Sequence, residues 1–151
     1  MTAVLITGMS GTGKSTVLAE LERRGHRVVD TDHGDWIDRS GPEPLWDEVR
    51  IGALLDEDSD GALFIAGCVA NQGRFYHRFA AVVLLSAPGA VILERVARRT
   101  TNPFGKRSEE RARISADLQT IEPLLRRGAT AEIDTRRPVG EVADLLEAAA
   151  A

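Results

Sequence analysis

The chain has 151 residues, a formal net charge of −4 and a single cysteine, Cys68. This length predicts one domain over residues 1–151. The acidic balance argues against a nucleic-acid partner, because such proteins gain affinity by neutralising phosphates with basic residues. One cysteine excludes an intrachain disulfide, and the apolar runs are too short to span a bilayer. We therefore expect a cytoplasmic protein without a membrane partner, either a monomer or a homodimer.

Short apolar runs recur along the chain and are rich in β-branched residues. Such runs are typical of strands that are buried on both faces, as in a parallel sheet. A fifth run is weaker than the other four. The predicted strands are residues 3–7, 27–29, 62–66, 81–85 and 131–135.

Stretches with helical spacing of apolar residues alternate with these runs. Gly25 is a predicted helix stop, and Pro123 predicts a kink or break inside the fourth stretch. The alternation of strands and helices predicts an α/β, doubly wound domain with helices on both faces of its sheet. The predicted helices are residues 14–24, 44–56, 88–99 and 108–127, and a last one that begins at Pro138.

Residues 8–15 read GMSGTGKS and fit the phosphate-binding loop pattern G-x-x-x-x-G-K-[ST], placed between a predicted strand and a predicted helix. Glycines let successive backbone N–H groups turn towards phosphate oxygens, and the following helix directs its positive end at them. Lys14 is predicted to reach the β- and γ-phosphates of ATP, and the Ser15 hydroxyl to bind Mg²⁺. The predicted nucleotide-binding residues here are Gly8, Ser10, Gly11, Thr12, Gly13, Lys14, Ser15 and Thr16.

With this loop and this order of elements, the chain resembles the nucleoside-monophosphate-kinase-like group of P-loop proteins, which includes adenylate, shikimate and gluconate kinases. The resemblance implies a five-stranded parallel sheet in the order 2-3-1-4-5. It also implies a substrate-binding excursion after the second strand, at residues 33–60. A mobile lid is implied after the fourth strand, at residues 100–107.

Two carboxylates, Asp30 and Asp32, stand at the end of the second predicted strand. Alternate side chains of a strand point the same way, and ligands of parallel sheets bind at the carboxyl ends of strands. The pair resembles the Asp-x-Asp of shikimate kinases, which implies that Asp30 acts near Mg²⁺ and that Asp32 holds the acceptor hydroxyl. The alternative is a side-chain cap for the next helix.

Three further residues are candidates for the acceptor side. Arg50 is similar to a substrate-region arginine of shikimate kinases, and Arg74 to a position in gluconate-kinase-like proteins. Gly67, after the third predicted strand, permits close approach of backbone to a ligand. For each arginine the alternative is an exposed residue, with Arg50 paired to Asp47 or Glu48.

Arginines also precede and follow the implied lid. The resemblance implies that Arg95 stacks on adenine and that Arg99, one helical turn later, reaches the transferred phosphoryl group. It places Arg136, after the fifth predicted strand, on the adenine side. The alternative for most of these arginines is a solvated basic face.

Together these features predict an ATP- and Mg²⁺-dependent kinase that phosphorylates a hydroxyl of a small-molecule acceptor. Lys14, Asp32 and Arg99 are the predicted catalytic residues. No carboxylate follows the third predicted strand, which argues against a motor ATPase. The chain also lacks the three-glycine turn of shikimate kinases and has Ile121 where they carry an arginine. A nucleoside or nucleotide kinase, and a regulatory ATP-binding NTPase without an acceptor, stay open as alternatives.

Overall fold

The computed structural model describes residues 2–99 and 106–151, and its centre is a sheet of five parallel strands. Within these residues the strands in chain order are β1 (Thr2–Thr7), β2 (Arg27–Asp30), β3 (Ile37–Asp38), β4 (Leu45–Trp46), β5 (Ala62–Ala66), β6 (Ala81–Ser86) and β7 (Ala131–Asp134). The sheet has the order β2-β5-β1-β6-β7, while β3 and β4 form a separate antiparallel pair. Counted within the sheet alone, this is the order 2-3-1-4-5. The labels differ because the sequence did not predict β3 and β4.

Helices connect the strands and cover both faces of the sheet. They are α1 (Lys14–Arg23), α2 (Glu48–Asp56), a 3₁₀ helix (Gln72–Arg78), α3 (Gly89–Arg98), α4 (Ser108–Thr120), α5 (Glu122–Gly128) and α6 (Val139–Ala150). None of the helices among the described residues has the length and apolar character needed to cross a membrane. The predicted lid lies largely outside the described residues, since only its last two positions, 106 and 107, are among them.

The core is split between the two faces because successive side chains of a strand point in opposite directions. On β1, Val4 and Ile6 pack with apolar residues of α1 and α6. Ala3 and Leu5 pack on the other face with residues of α2 and with Trp46. Burying one large apolar side chain contributes about 1.5–3 kcal/mol, so strands that are covered on both faces are the most stable part of the chain.

The sequence predicted the five sheet strands to within about a residue, and α1 ends beside Gly25, which has a φ of +93°. The helix predicted from residue 44 was wrong at its start, because residues 45–46 form β4 and α2 begins only at Glu48. The reason is a cap: the side chain of Asp47 accepts a hydrogen bond from the backbone N–H of Arg50 at 3.1 Å. The break predicted at Pro123 occurs two residues earlier, at Ile121, between α4 and α5.

Trp46 ties the segment before α2 to the carboxyl ends of β2 and β5. Its indole is 1% exposed and donates to the Thr31 hydroxyl at 3.0 Å. Its backbone N–H and C=O both bond the side-chain amide of Asn71, at 2.9 and 3.0 Å. Gly67 completes this packing, since a Cβ there would lie 2.6 Å from Thr31 Oγ1 and 3.0 Å from the Trp46 ring.

We expect Gly67→Ala to lower the free energy of unfolding by about 2 kcal/mol, because the added methyl group overpacks the contact with Trp46 and Thr31. Gly52→Ala is the matched control: Gly52 lies inside α2, where a Cβ meets nothing within 4 Å. That substitution should raise stability by up to about 1 kcal/mol. Urea unfolding followed by circular dichroism measures both, and equal midpoints for the two variants would contradict the packing argument.

Candidate functional site: the loop between β1 and α1

Residues 8–15 form a tight loop whose shape depends on its glycines. Gly8, Gly11 and Gly13 have φ values of +154°, +83° and +99°. A Cβ on Gly8 would lie 2.5 Å from the carbonyl oxygen of Leu85, and one on Gly11 would lie 2.8 Å from Cγ2 of Val96. At Gly8 and Gly11 a side chain would clash and the positive φ also favours glycine, whereas at Gly13 only the positive φ favours it.

Within this loop, polar groups of the side chains hold the backbone carbonyls. The buried Thr12 hydroxyl donates to the carbonyl of Met9 at 2.7 Å. The Lys14 ammonium donates to the carbonyls of Gly8 and Met9, at 2.5 and 3.1 Å. Burial lowers the pKa of Lys14, while the nearby Cys68, Asp32 and Asp30 act to raise that pKa. The loop thus holds one cation at its mouth, close to both predicted carboxylates.

Asp30, the last residue of β2, faces the start of α1. Its Oδ2 accepts a hydrogen bond from the Ser15 hydroxyl at 3.2 Å, and its Oδ1 accepts from the backbone N–H of Asp32 at 3.1 Å. The first contact joins the two residues predicted to bind Mg²⁺. The second closes the turn after β2 and caps no helix, because the next element is β3. The described residues contain no group of three His, Cys, Asp or Glu side chains around a metal-sized site. A hydroxyl and a carboxylate nonetheless fit Mg²⁺, which retains water and phosphate oxygens as its other ligands.

The two arginines of the α3 region lie at different parts of the loop. Arg95 donates to the hydroxyl and carbonyl oxygens of Thr135, at 2.8 and 2.6 Å, and to the carbonyl of Gly11 at 3.4 Å. Arg99, at the end of α3, donates to the Ser10 hydroxyl at 3.2 Å, and burial lowers its pKa. Because α3 also packs on Gly11 through Val96, this helix positions a guanidinium against each half of the loop.

A cleft of about 200 Å³ opens between the N-terminal turn of α1 and the turn after β7. Two of the predicted nucleotide-binding residues, Arg95 and Thr16, line it, and their contact with a nucleotide stays a prediction. The predicted Arg136 does not line it, since its guanidinium pairs with Asp134 at 2.6 Å and holds the pKa of that carboxyl at about 2. Residues of the cleft that sequence reasoning missed are Val17, Thr135, Arg137, Val139 and Val142.

The acceptor-side candidates are distributed around the excursion. Arg50 lies 3.4 Å from Asp47, which is the ion pair named as the alternative, and 3.8 Å from Asp35. Arg74 is 73% exposed at its side chain and lies 3.4 Å from Glu48. The nearest neighbours at Gly67 are Thr31 and Trp46. The structure therefore brings Asp30, Lys14 and Ser15 together. The predicted roles of Arg50, Arg74 and Gly67 toward an acceptor stay predictions.

One buried glutamine near the loop was missed by the sequence. The Gln72 side chain is 2% exposed, donates to the hydroxyl of Thr7 at 3.0 Å and accepts from the N–H of Val69 at 3.0 Å. It thus fixes the residue just before the phosphate-binding loop to the turn after β5. Nothing in the local sequence distinguishes Gln72 from a surface residue, because its partner Thr7 lies 65 positions away.

The sheet order and this loop define the fold of a P-loop protein. The family model of the AAA domain matches residues 4–116, about three quarters of the chain. The chain therefore belongs to that AAA domain family.

Solved kinase structures share the fold at low sequence identity. A shikimate kinase from Acinetobacter baumannii in complex with shikimate has a TM-score of 0.71 at 21% identity, covering 97% of this chain and 90% of that one. A gluconokinase from Sinorhizobium meliloti 1021 has a TM-score of 0.63 at 22% identity, covering 98% and 90%. At these identities the likeness shows the fold alone.

A curated relative from Thermosipho africanus, called a nucleotide-binding protein, is 30% identical over 105 residues. The match covers 69% of this chain, which spans 38% of the length of that relative. Its name is consistent with the loop described above and says nothing of an acceptor.

We expect Asp30→Asn to weaken magnesium-dependent ATP affinity about tenfold, because the neutral amide no longer attracts a cation beside Ser15. Titration calorimetry with MgCl₂ measures the loss, and the same titration in EDTA is the control. In EDTA the variant and the parent protein should bind ATP with equal affinity. An equal loss in EDTA would mean that Asp30 only shapes the loop.

Arg95→Gln and Arg136→Gln form a second test of the cleft. Removing Arg95 takes a guanidinium out of the cleft and breaks its bonds to Thr135, so ATP affinity should fall about tenfold. Removing Arg136, which faces Asp134, should change ATP affinity by less than about twofold. Equal losses for the two variants, measured by the same calorimetry, would contradict this assignment of the cleft.

Proposed function

We propose that the protein is a magnesium-dependent kinase that transfers the γ-phosphoryl group of ATP to a hydroxyl of a small molecule. One observation carries the proposal. The Lys14 ammonium, the Ser15–Asp30 pair at 3.2 Å and the Arg99–Ser10 contact at 3.2 Å all meet at one phosphate-binding loop. This combination of cations with a metal-binding pair is what a transferring phosphoryl group requires.

Phosphoryl transfer needs little covalent chemistry from the protein, so positioning and charge stabilisation dominate. In the proposed reaction the Lys14 ammonium and the N–H groups of the loop hold the β- and γ-phosphates. Arg99 stabilises the negative charge that spreads over the transferred group. Ser15 and Asp30 would hold Mg²⁺, which when bound neutralises phosphate charge.

Asp32 is the residue proposed to hold the acceptor hydroxyl. Its carboxylate is exposed, is close enough to Lys14 to act on the pKa of that lysine, and follows Asp30 by two residues. An exposed carboxylate beside the phosphate-binding loop can accept the hydroxyl proton as the oxygen attacks phosphorus. Residues 33–60, which follow Asp32 directly, are the proposed acceptor-binding excursion.

The residues that follow β5, which pairs with β1, support a kinase over a motor ATPase. Motor ATPases place a metal-binding carboxylate after the corresponding strand. Here β5 is followed by Gly67 and Cys68, and the carboxylate beside Ser15 comes instead from Asp30 on β2. Solved structures that are named as a shikimate kinase, a gluconokinase and a sugar kinase share the fold.

A second candidate is a nucleotide-binding regulator that hydrolyses ATP without an acceptor. The observation that favours it is the Thermosipho africanus relative, whose name refers to nucleotide binding alone. This candidate requires ATP binding without acceptor-dependent ADP release, so a single assay separates the two.

The experiment is ADP release from ATP and MgCl₂ over a panel of polyols, sugars, nucleosides, nucleotides and antibiotics. Lys14→Ala supplies the blank, because it removes the cation of the loop. The proposal requires that at least one compound raises ADP release above the acceptor-free rate and appears as its phosphate ester by mass spectrometry. Tight ATP binding with no such compound would favour the regulator.

We expect Asp32→Asn to lower acceptor-dependent turnover at least a hundredfold while ATP affinity changes less than about threefold, because the amide cannot accept the hydroxyl proton. Asp144→Asn, which removes an exposed carboxylate of α6 outside the proposed acceptor-binding excursion, is the control and should retain turnover. If ATP affinity collapses in Asp32→Asn, this residue serves the nucleotide rather than the acceptor.

A further inference from the structure

Negative charge is concentrated in the proposed acceptor-binding excursion. Residues 33–60 contain nine carboxylates and two arginines, a formal charge of −7, whereas the whole chain carries −4. The rest of the protein is therefore net positive, as suits a nucleotide site. A surface with this charge attracts cations and repels carboxylates and phosphates.

The excursion also contains the larger of the two clefts described in the protein. It has a volume of about 330 Å³ and lies beside α2, with an aliphatic floor of Ala53 and Leu54. The half-buried indole of Trp36 forms one wall, and a Cβ added at Gly34 would lie 3.5 Å from that indole. The charged residues that line the cleft are Asp35, Arg50 and Glu57.

The single arginine of the cleft is already surrounded by acids. Arg50 lies between Asp47, at 3.4 Å, and Asp35, at 3.8 Å. Glu57 pairs with Arg27, which is not among the residues that line the cleft. In the lining itself, two carboxylates, Asp35 and Glu57, stand against the one guanidinium of Arg50. An anionic ligand would have to displace a carboxylate from Arg50, whereas a cation adds to a lining that is net negative.

The mouth of this cleft is within reach of the proposed catalytic carboxylate. Asp35 follows Asp32 by three residues, so their Cα atoms are at most about 10 Å apart. The side chain of Asp35 is 84% exposed, and its pairing with Arg50 is correspondingly weak. A small molecule with its hydroxyl at Asp32 can therefore place a second group beside Asp35 and Trp36.

We propose that the acceptor carries a positively charged amine as well as its hydroxyl, and that the Trp36 cleft binds that amine. This inference rests on the proposed kinase function and names its substrate class: amino alcohols and amino sugars. The indole face attracts a cation, and the carboxylates of Asp35 and Glu57 supply the opposite charge. The same surface discriminates against polyhydroxy acids and nucleotides.

Two matched sets of acceptors test whether a positive charge on the acceptor raises kcat/KM. Glucosamine, N-acetylglucosamine and gluconate share a six-carbon chain and carry positive, no and negative charge. 2-Amino-1,3-propanediol, glycerol and glycerate form the same series on three carbons. We expect kcat/KM from acceptor-dependent ADP release to be at least tenfold higher for the amine in one or both sets. We also expect this advantage to decline as NaCl is raised.

Variants locate the effect in the cleft. Asp35→Asn should raise KM for the amine about threefold, and the double variant Asp35→Asn/Glu57→Gln about tenfold, with kcat unchanged. Asp144→Asn is the control, since it removes one exposed carboxylate from α6, where Asp144 pairs with Arg24. The fluorescence of Trp36 reports amine binding in the presence of ATP and MgCl₂, with Trp36→Phe as the blank.

The outcomes separate the two proposals. Turnover of neutral or anionic members with no preference for amines would overturn the amine site and leave the kinase intact. Amine binding seen at Trp36 without ADP release would retain the site and overturn the kinase. If no amine in the panel binds or is phosphorylated, the inference is wrong.

Discussion

The contact between the phosphate-binding loop and α3 is the constraint on which the site depends. Gly11 approaches Val96 and Ile92 so closely that no side chain fits between them, and Gly8 approaches the carbonyl of Leu85 in the same way. The loop is thus packed between β6 and α3. Because α3 also positions Arg95 and Arg99, the packing that shapes the loop also sets the distance of two guanidinium groups from it.

Local patterns determine most of what could be predicted. The five sheet strands are buried apolar runs, and the loop is a contiguous motif, so each is visible within a few residues of sequence. The resemblance implied that Asp30 acts near the magnesium ion of Ser15, and the two side chains lie 3.2 Å apart. For the strands and the loop, one short segment contains all the relevant information.

The failures involve partners that are distant in sequence or caps that compete with periodicity. The helix predicted from residue 44 ignored Asp47, whose cap outweighs the apolar spacing of Leu45. The bonds of Arg95 to Thr135 and of Gln72 to Thr7 join residues 40 and 65 positions apart. The resemblance placed Arg136 on the adenine side, whereas Arg137 lines the cleft, and only the folded turn after β7 decides which of two adjacent arginines does so. No pattern in a single sequence specifies such choices.

The buried Gln72 connects the turn after β5 to the strand that precedes the phosphate-binding loop. Through its amide, the turn after β5 and the last residue of β1 become parts of one hydrogen-bonded strut. The turn and the base of the nucleotide loop therefore share one buried hydrogen-bonded side chain. If a ligand of the turn changes nucleotide affinity, thermodynamic reciprocity requires that nucleotide change the affinity of that ligand by the same factor.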